Sequence, residues 1–340
     1  MEYRSLADLN DTICRAIHRI PRDVTLIVGV PRSGLLAANL IALNLNVPLL
    51  DLESWLHGLA PHVGRTVKGT MKAIGGPGRV LVVDDSILSG ESMVAVRERV
   101  AAVKPDADVL YCAVYGVRDD HAEVDFTLES VAHPRIFQWN LMRHNRLANA
   151  CFDIDGVLCF DPEQSQNDDG AIYEDFCLNA RPLLVPGVRI GHLVTSRLER
   201  FRPQTEAWLD AQGIEYDRLW MIDLPTAEER RRLKAHAPHK ARVYRETGAC
   251  LFVESEDEQA QTIAELSGLP VLSIEGQRMV WPGGEGVSRR RYAQRWSNPS
   301  YAPPRTPKAM AARIARGMLG QGGYDALKGL VRGGGRKATS

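Results

Sequence analysis

Residues Arg79–Met93, RVLVVDDSILSGESM, limit what this chain can fold into more than any other stretch. Val80–Val83 is an uninterrupted apolar run dominated by β-branched side chains, and it stops at two carboxylates, Asp84 and Asp85. Such a run without alternation suits a strand covered on both faces, as in parallel sheets. Met93–Val103 then carries a helix-compatible pattern. Strand, acidic end, short loop and helix N-terminus in that order make a ligand crevice of an open α/β sheet. Ser89, Gly90 and Ser92 lie in the loop, where hydroxyls and backbone N–H groups can meet a phosphate at a helix N-terminus. Two adjacent carboxylates suit the vicinal hydroxyls of a sugar. The combination predicts a phosphoribosyl group as ligand.

The chain has 340 residues, 44% of them hydrophobic, so two ordinary domains with full cores are expected. Its six cysteines (Cys14, Cys112, Cys151, Cys159, Cys177 and Cys250) form no CxxC pair. With no signal-peptide pattern and no apolar run long enough to span a bilayer, they predict free thiols in a cytoplasmic protein, with no zinc site. Net charge is zero, yet from Arg289 onward twelve Lys/Arg face a single acid, Asp325. A basic tail on an acidic body predicts contact with an anionic surface.

Ser5–Ile20 reads as an amphipathic helix with Ser5 as N-cap, followed by a strand over Val24–Val30 and a helix over Gly34–Asn44. Between them GVPRSG, Gly29–Gly34, places Arg32 and Ser33 at a helix mouth. Taken alone, this second phosphate-suited loop is a weak signal. Val47–Leu52 is a further strand, ending at Asp51 and Glu53. His62–Gly78 is polar and basic, compatible with a cover for an anionic ligand or with a solvated connection. Strands over Val109–Val117 and Val124–Leu128 complete this half. RIFQWNLMRH, Arg135–His144, sets Phe137 and Trp139 beside Asn140 and Arg143; those aromatics read first as core and second as shelter for an acceptor.

On VLVVDDSILSGESM and GVPRSG, residues 1–147 resemble a type I phosphoribosyltransferase, with Ser89 and Ser92 where that family carries threonines. The resemblance implies that Asp84 and Asp85 hold the ribose hydroxyls of phosphoribosyl pyrophosphate (PRPP). By the same resemblance Ser86, Ser89, Gly90, Glu91 and Ser92 cradle its 5-phosphate, and Arg32, Ser33 and Gly34 lie beside the pyrophosphate. Purine-salvage members have an aspartate where this chain has Leu88, which argues against a purine acceptor.

A second chemistry starts at Cys151–Cys159, CFDIDGVLC. Side chains two apart on a strand point the same way, so Asp153 and Asp155 can converge on a small hard cation, for which Mg2+ is the oxygen-ligand choice. Residues 148–282 resemble a haloacid dehalogenase (HAD) phosphatase, on the DxDGVL segment and on three further motifs in order. A strand over Ile190–Val194 delivers Thr195 and Ser196; Lys240 lies in PHKARVY, with Lys234 as an alternative; and Leu251–Val253 leads into Glu254, Ser255, Glu256 and Asp257. The resemblance implies that Asp153 is the nucleophile and that Asp155 is acid and then base. Thr195 binds phosphate, Lys240 neutralises charge, and Asp153, Asp155, Glu254 and Asp257 make the metal site. Glu254 stands where the family is aspartate-led, and which of Glu256, Asp257 or Glu258 assists it stays open. The short insert Phe160–Pro186 implies a small cap.

The predicted fold class is therefore α/β: two doubly wound parallel-sheet, Rossmann-like domains, a phosphoribosyltransferase fold and then a HAD fold. A basic, partly helical tail over 283–340 follows, with a helix expected over Lys308–Leu319. That tail suits anionic lipid, placing the protein at the inner face of a membrane, or simply a solvated or back-packed segment. Joined in one chain, the two halves resemble bacterial ribofuranosyltransferase–phosphatase pairs of surface-polysaccharide synthesis. They imply transfer of phosphoribosyl from PRPP to a glycan acceptor, lipid-linked in such systems, and removal of the 5-phosphate afterwards. Asp51 and Glu53 are candidates for the base that activates the acceptor. The alternatives are a pyrimidine-type phosphoribosyltransferase with a nucleotidase domain, and a PRPP-binding regulator without turnover. No nucleic-acid partner is expected for the first reading.

Overall fold

In the computed structural model of the chain, the described residues are 1–61, 78–118, 121–167 and 169–283. The loop expected over His62–Gly78 and the basic tail fall almost wholly outside them. Ser5 starts the first helix, α1 (Leu6–Ala16), through a capping box: its Oγ accepts from the Asp8 N–H at 3.1 Å and its N–H donates to Asp8 Oδ2 at 3.0 Å. Five parallel strands follow: β2 (Val24–Gly29), β3 (Leu49–Asp51), β4 (Arg79–Ser86), β5 (Val109–Gly116) and β6 (Phe126–Ser130). Their order across the sheet is β3-β2-β4-β5-β6. The helices between them are α2 (Gly34–Leu45), α3 (Leu52–Leu56) and α4 (Glu91–Val103). The apolar run of β4 divides between two cores, as a strand covered on both faces must. Leu81 and Val83 pack with Leu9, Ile13 and Ile41, whereas Val82 packs on the other face with Met93 and Val96.

A second sheet runs β10-β9-β8-β11-β12-β13, formed by β8 (Ala150–Phe152), β9 (Ile190–Leu198), β10 (Tyr216–Ile222), β11 (Leu251–Glu254), β12 (Val271–Ser273) and β13 (Arg278–Val280). All pairs are parallel except β12 with β13. Helices α5 (Ala171–Asn179), α6 (Arg202–Ala211), α7 (Ala227–Arg232), α8 (His236–Thr247) and α9 (Asp257–Ser267) accompany it. Phe152, Leu193 and Val253 face a core built around Trp208, and Cys151, Val194 and Phe252 face one built around Tyr244. β9 continues to Leu198, so Thr195, Ser196 and Arg197 lie within the strand and not in a loop beyond it.

The sequence reading has no counterpart for a small parallel pair, β1 (Glu2–Arg4) with β7 (Arg135–Phe137). Tyr3, Ile136, Leu141 and Leu147 belong to the same buried cluster as Phe152 and Trp208, so the start and end of the first half pack into the core of the second. The Gly187 N–H donates to the Met142 carbonyl at 2.8 Å, and the Arg143 guanidinium occupies the space where a Cβ on Gly187 would stand. Among the described residues no helix is long and apolar enough to cross a membrane.

Two candidate sites at the strand ends

The first site forms where strand order reverses between β2 and β4, the usual crevice of an open parallel sheet. Gly29 lies in register with Val83, and the Val30 N–H donates to the Val83 carbonyl at 2.9 Å. Gly34 is pressed against the end of β4, since a Cβ there would stand 2.8 Å from the Val83 carbonyl and 2.9 Å from Asp84 Oδ1. The Pro31–Arg32 peptide is cis, and the Arg32 side chain is exposed. Asp85 is buried and doubly held: the Ser33 hydroxyl donates to Oδ1 at 2.9 Å and the Trp139 indole to Oδ2 at 2.7 Å. Its own N–H donates to Asp84 Oδ1 at 2.8 Å. Ser33, Gly34, Asp84 and Asp85 therefore meet.

The phosphate-suited loop is open. Ser89, Glu91 and Ser92 are exposed, Gly90 takes a φ of 92°, and no side chain caps α4. The first-turn N–H groups of a helix left in this state suit an anion; among the described residues their one side-chain contact is a long 3.4 Å bond from the Glu91 N–H to Ser89 Oγ. Ser86 closes β4, and the root of the loop is fixed by buried Arg135, which donates to the Ile87 carbonyl at 2.7 Å and to Val131 at 3.2 Å. Burial lowers the Arg135 pKa to about 10 against the opposing charge of Asp85. Trp139 ends a stack with Phe137 at 4.8 Å and 3°. The aromatic pair is thus core on one side and part of the site on the other.

Asp51 and Glu53 have different work. Asp51 caps α3, accepting from the Ser54 N–H and hydroxyl, which hold its carboxyl below the ordinary value. Glu53 pairs with Arg99 at 2.7 Å on the surface. A base needs a raised pKa and a free lone pair, and neither residue offers both.

Burial, reinforced by the Asp85 charge, pushes the Asp84 carboxyl from 3.8 up to about 8. A carboxyl raised by folding favours the folded state while protonated, so its contribution is full below about pH 4 and is lost as pH climbs to 8. Urea midpoints of the free protein are therefore expected to fall between pH 5 and pH 8. Asp84→Asn should flatten that fall; an equal slope in the variant would contradict the assignment.

The second site also lies at a reversal of strand order, between β8 and β11. Asp153 follows β8, its N–H donating to the Val253 carbonyl at 3.0 Å. Lys240, on α8 and only 1% exposed, bridges Asp153 Oδ2 at 2.6 Å and Glu254 Oε2 at 2.8 Å. The other oxygen of each acid accepts from the chain: Asp153 Oδ1 from the Ile154 N–H at 2.8 Å, Glu254 Oε1 from the Ser255 N–H at 3.1 Å. Burial pushes the Asp153 carboxyl well up; the Lys240 ammonium pulls it down, and Glu254 and Asp155 push it further up. Burial also opposes the charge on Lys240, but Asp153 and Glu254 outweigh it and keep the ammonium firmly protonated.

Asp155 is clasped by Arg197, which is fully buried and donates through Nη2 at 2.7 Å and Nε at 3.1 Å. Burial would raise the Asp155 carboxyl, but Arg197 prevails and holds it below the usual range. Thr195 Oγ1 accepts from the Arg197 N–H at 3.2 Å, tying the expected phosphate-binding residue to that clasp. Asp257 is not drawn in. Arg278 of β13 takes its Oδ2 at 2.7 Å, because α9 starts beside the edge hairpin. The acids whose charges act in the cluster are Glu254, Glu256, which stood open beside Asp257 in the sequence, and, from outside the expected set, Asp161. Burial and then the charges of Asp155, Glu256 and Glu254 raise the Asp161 carboxyl. Gly156 makes room for it, since a Cβ there would stand 2.8 Å from Asp161 Oδ2.

Among the described residues no three His, Cys, Asp or Glu side chains converge closely enough to enclose a metal ion. Asp153 and Glu254 are nonetheless a pair of hard oxygen donors, of the kind that Mg2+ takes.

By class, the molecule is an α/β protein with two large, mainly parallel sheets and a carboxylate-bearing site at the reversal of strand order in each. No family model and no curated protein matches the chain. Among solved structures it is similar to the xanthine-guanine-hypoxanthine phosphoribosyltransferase of Helicobacter pylori, at 15% identity over 41% of this chain and 92% of that one, with a TM-score of 0.29. A purine phosphoribosyltransferase of Pyrococcus horikoshii matches at 17% identity over 41% and 92%, TM-score 0.29. A hypothetical protein of Neisseria gonorrhoeae with bound ppGpp matches at 12% over 42% and 92%, TM-score 0.30.

Proposed function

We propose that the chain is a bifunctional enzyme of two domains, 1–147 and 148–282. It transfers 5-phosphoribosyl from PRPP to an acceptor hydroxyl with loss of pyrophosphate, and then hydrolyses the 5-phosphate of the product. The observation that carries this reading is the pairing of two switch-point sites in one chain, Asp84 and Asp85 beside an uncapped helix and Asp153 beside Lys240. In the first site Asp84 and Asp85 orient the ribose hydroxyls. The first turn of α4, with Ser86, Ser89, Gly90 and Ser92, receives the 5-phosphate, and Arg32 with the Ser33–Gly34 turn lies beside the leaving pyrophosphate. Displacement at the anomeric carbon builds positive charge on the sugar, which positioned carboxylates stabilise.

In the second site Asp153 attacks phosphorus and Lys240 neutralises the charge that gathers there. An Asp155 held ionised by Arg197 suits the later step, in which water loses a proton, better than the earlier one, in which the leaving oxygen gains it. Magnesium would be held by Asp153 and Glu254 together with substrate oxygens, and when bound it supplies charge stabilisation to the phosphoryl group. The favoured acceptor is a glycan, because removing the 5-phosphate leaves a finished ribofuranosyl unit, whereas a nucleotide would be discarded. A lipid-linked acceptor would give the basic tail its purpose at an anionic membrane face.

One observation favours a nucleobase acceptor instead: the half-buried Trp139 ring beside Asp85 can stack a planar base as well as a sugar face. Pyrophosphate release from PRPP, followed with glycan acceptors and separately with uracil and orotate, discriminates the two. Release with glycans only is expected, and release with a nucleobase only would overturn the glycan reading.

A further inference from the structure

Of the buried cations around the second sheet, Lys240 and Arg197 are each matched by carboxylates, but Arg230 is not. Arg230, on α7 and 6% exposed, makes no ion pair among the described residues. Its Nη1 donates to the Ser196 carbonyl at 2.5 Å, while among the described residues its buried Nε has no partner, and neither has the buried hydroxyl of Ser196. The described acids nearby are committed elsewhere. Asp169 accepts from the Ala227 N–H and pairs with Arg200, Glu229 pairs with Arg232, and Glu199 pairs with Arg202. Water can satisfy an N–H group, but it does not neutralise a charge withdrawn from solvent.

The position of Arg230 identifies what is missing. Ser196 follows Thr195 directly in β9. His236 and Lys240 lie one turn apart on one face of α8, and His236 feels the charges of both Arg230 and Lys240. Tyr173 on α5 likewise feels Asp155, Arg197 and Arg230. Arg230 is thus tied through Ser196 to β9 one residue from Thr195, in a place where a fixed carboxylate would repel a phosphoryl group.

We propose that Arg230, with Ser196, is a substrate-binding residue whose counter-ion is the phosphate of a phosphomonoester. The planar fork of a guanidinium suits two phosphate oxygens at once. Lys240, already shared between two carboxylates, supplies charge but no comparable grip. The proposal rests on the phosphatase reading for the identity of the ester, but not for the presence of an anion site.

Inorganic phosphate titrated against the His236 imidazole resonances tests it without turnover, and His236 reports this site and not the one at Asp84. The wild type should show a saturable shift, and Arg230→Met and Arg230→Gln should weaken the affinity about tenfold or more. Arg230→Met should not lower the thermal midpoint of the free protein, since it removes an unmatched buried charge, and it should lose the midpoint rise that phosphate gives at this site. Arg230→Lys, which keeps the charge without the fork, should fall between if Arg230→Met does not fold. Unchanged phosphate affinity in the variants, or no His236 shift in the wild type, overturns the proposal. A normal shift in a protein that hydrolyses no phosphomonoester keeps the anion site and overturns only the phosphatase reading.

Discussion

Lys240→Met is expected to cost the fold about 3–5 kcal/mol, the penalty of leaving buried charge without its partner. The ammonium bridges Asp153 and Glu254 at 2.6 and 2.8 Å inside a nearly sealed site, so its loss leaves two acids facing each other with their charge uncompensated. Lowering the pH should return part of the loss, because protonating one acid removes the repulsion. Adding Glu254→Gln to Lys240→Met should do the same at neutral pH. Urea midpoints of the three proteins check this. A single variant within about 1 kcal/mol of wild type, the scale of an exposed ion pair, would mean that the bridge is not what holds this site.

Asp153→Asn is expected to separate the two chemistries. Hydrolysis of a phosphoribosyl product should fall on the order of 10³-fold or more, as for loss of a nucleophile. Pyrophosphate release from PRPP should be unchanged, since Asp84 and Asp85 belong to a different sheet and Ser33 to the loop beside them. The variant retains a group that can accept from Lys240, and Glu254 still pairs the ammonium, so folding should survive. Following pyrophosphate and orthophosphate in parallel assays checks both halves of the expectation. Loss of both products together would contradict independent sites.

How much could be read from the sequence depended on how local the determinant was. Val80–Val83 running into Asp84 and Asp85 was legible because a doubly covered strand needs an apolar run and can place charge only at its end. Ser5 was legible as a cap because its partner, Asp8, is three residues away. The same holds for Gly29–Gly34, which the fold presses onto β4 as its glycines allow. Trp139 was not legible as a ligand of Asp85, since the two are 54 residues apart and only the path of β7 brings them together. β1 escaped because three residues carry no periodicity. Asp257 looked equivalent to Glu256 in the chain, and the turn of α9 against Arg278 separates them. Arg230 opens a run of three arginines in which nothing marks it from its two followers, yet they are exposed and it is buried.

The central claim, transfer followed by removal of the 5-phosphate, is tested most directly by following one reaction of the wild-type protein, PRPP and a glycan acceptor by phosphorus NMR. Pyrophosphate and a new phosphomonoester resonance should rise together as PRPP disappears. Orthophosphate should then grow at the expense of that phosphomonoester. Orthophosphate appearing with no preceding phosphomonoester, or no pyrophosphate until a nucleobase is added, would contradict it.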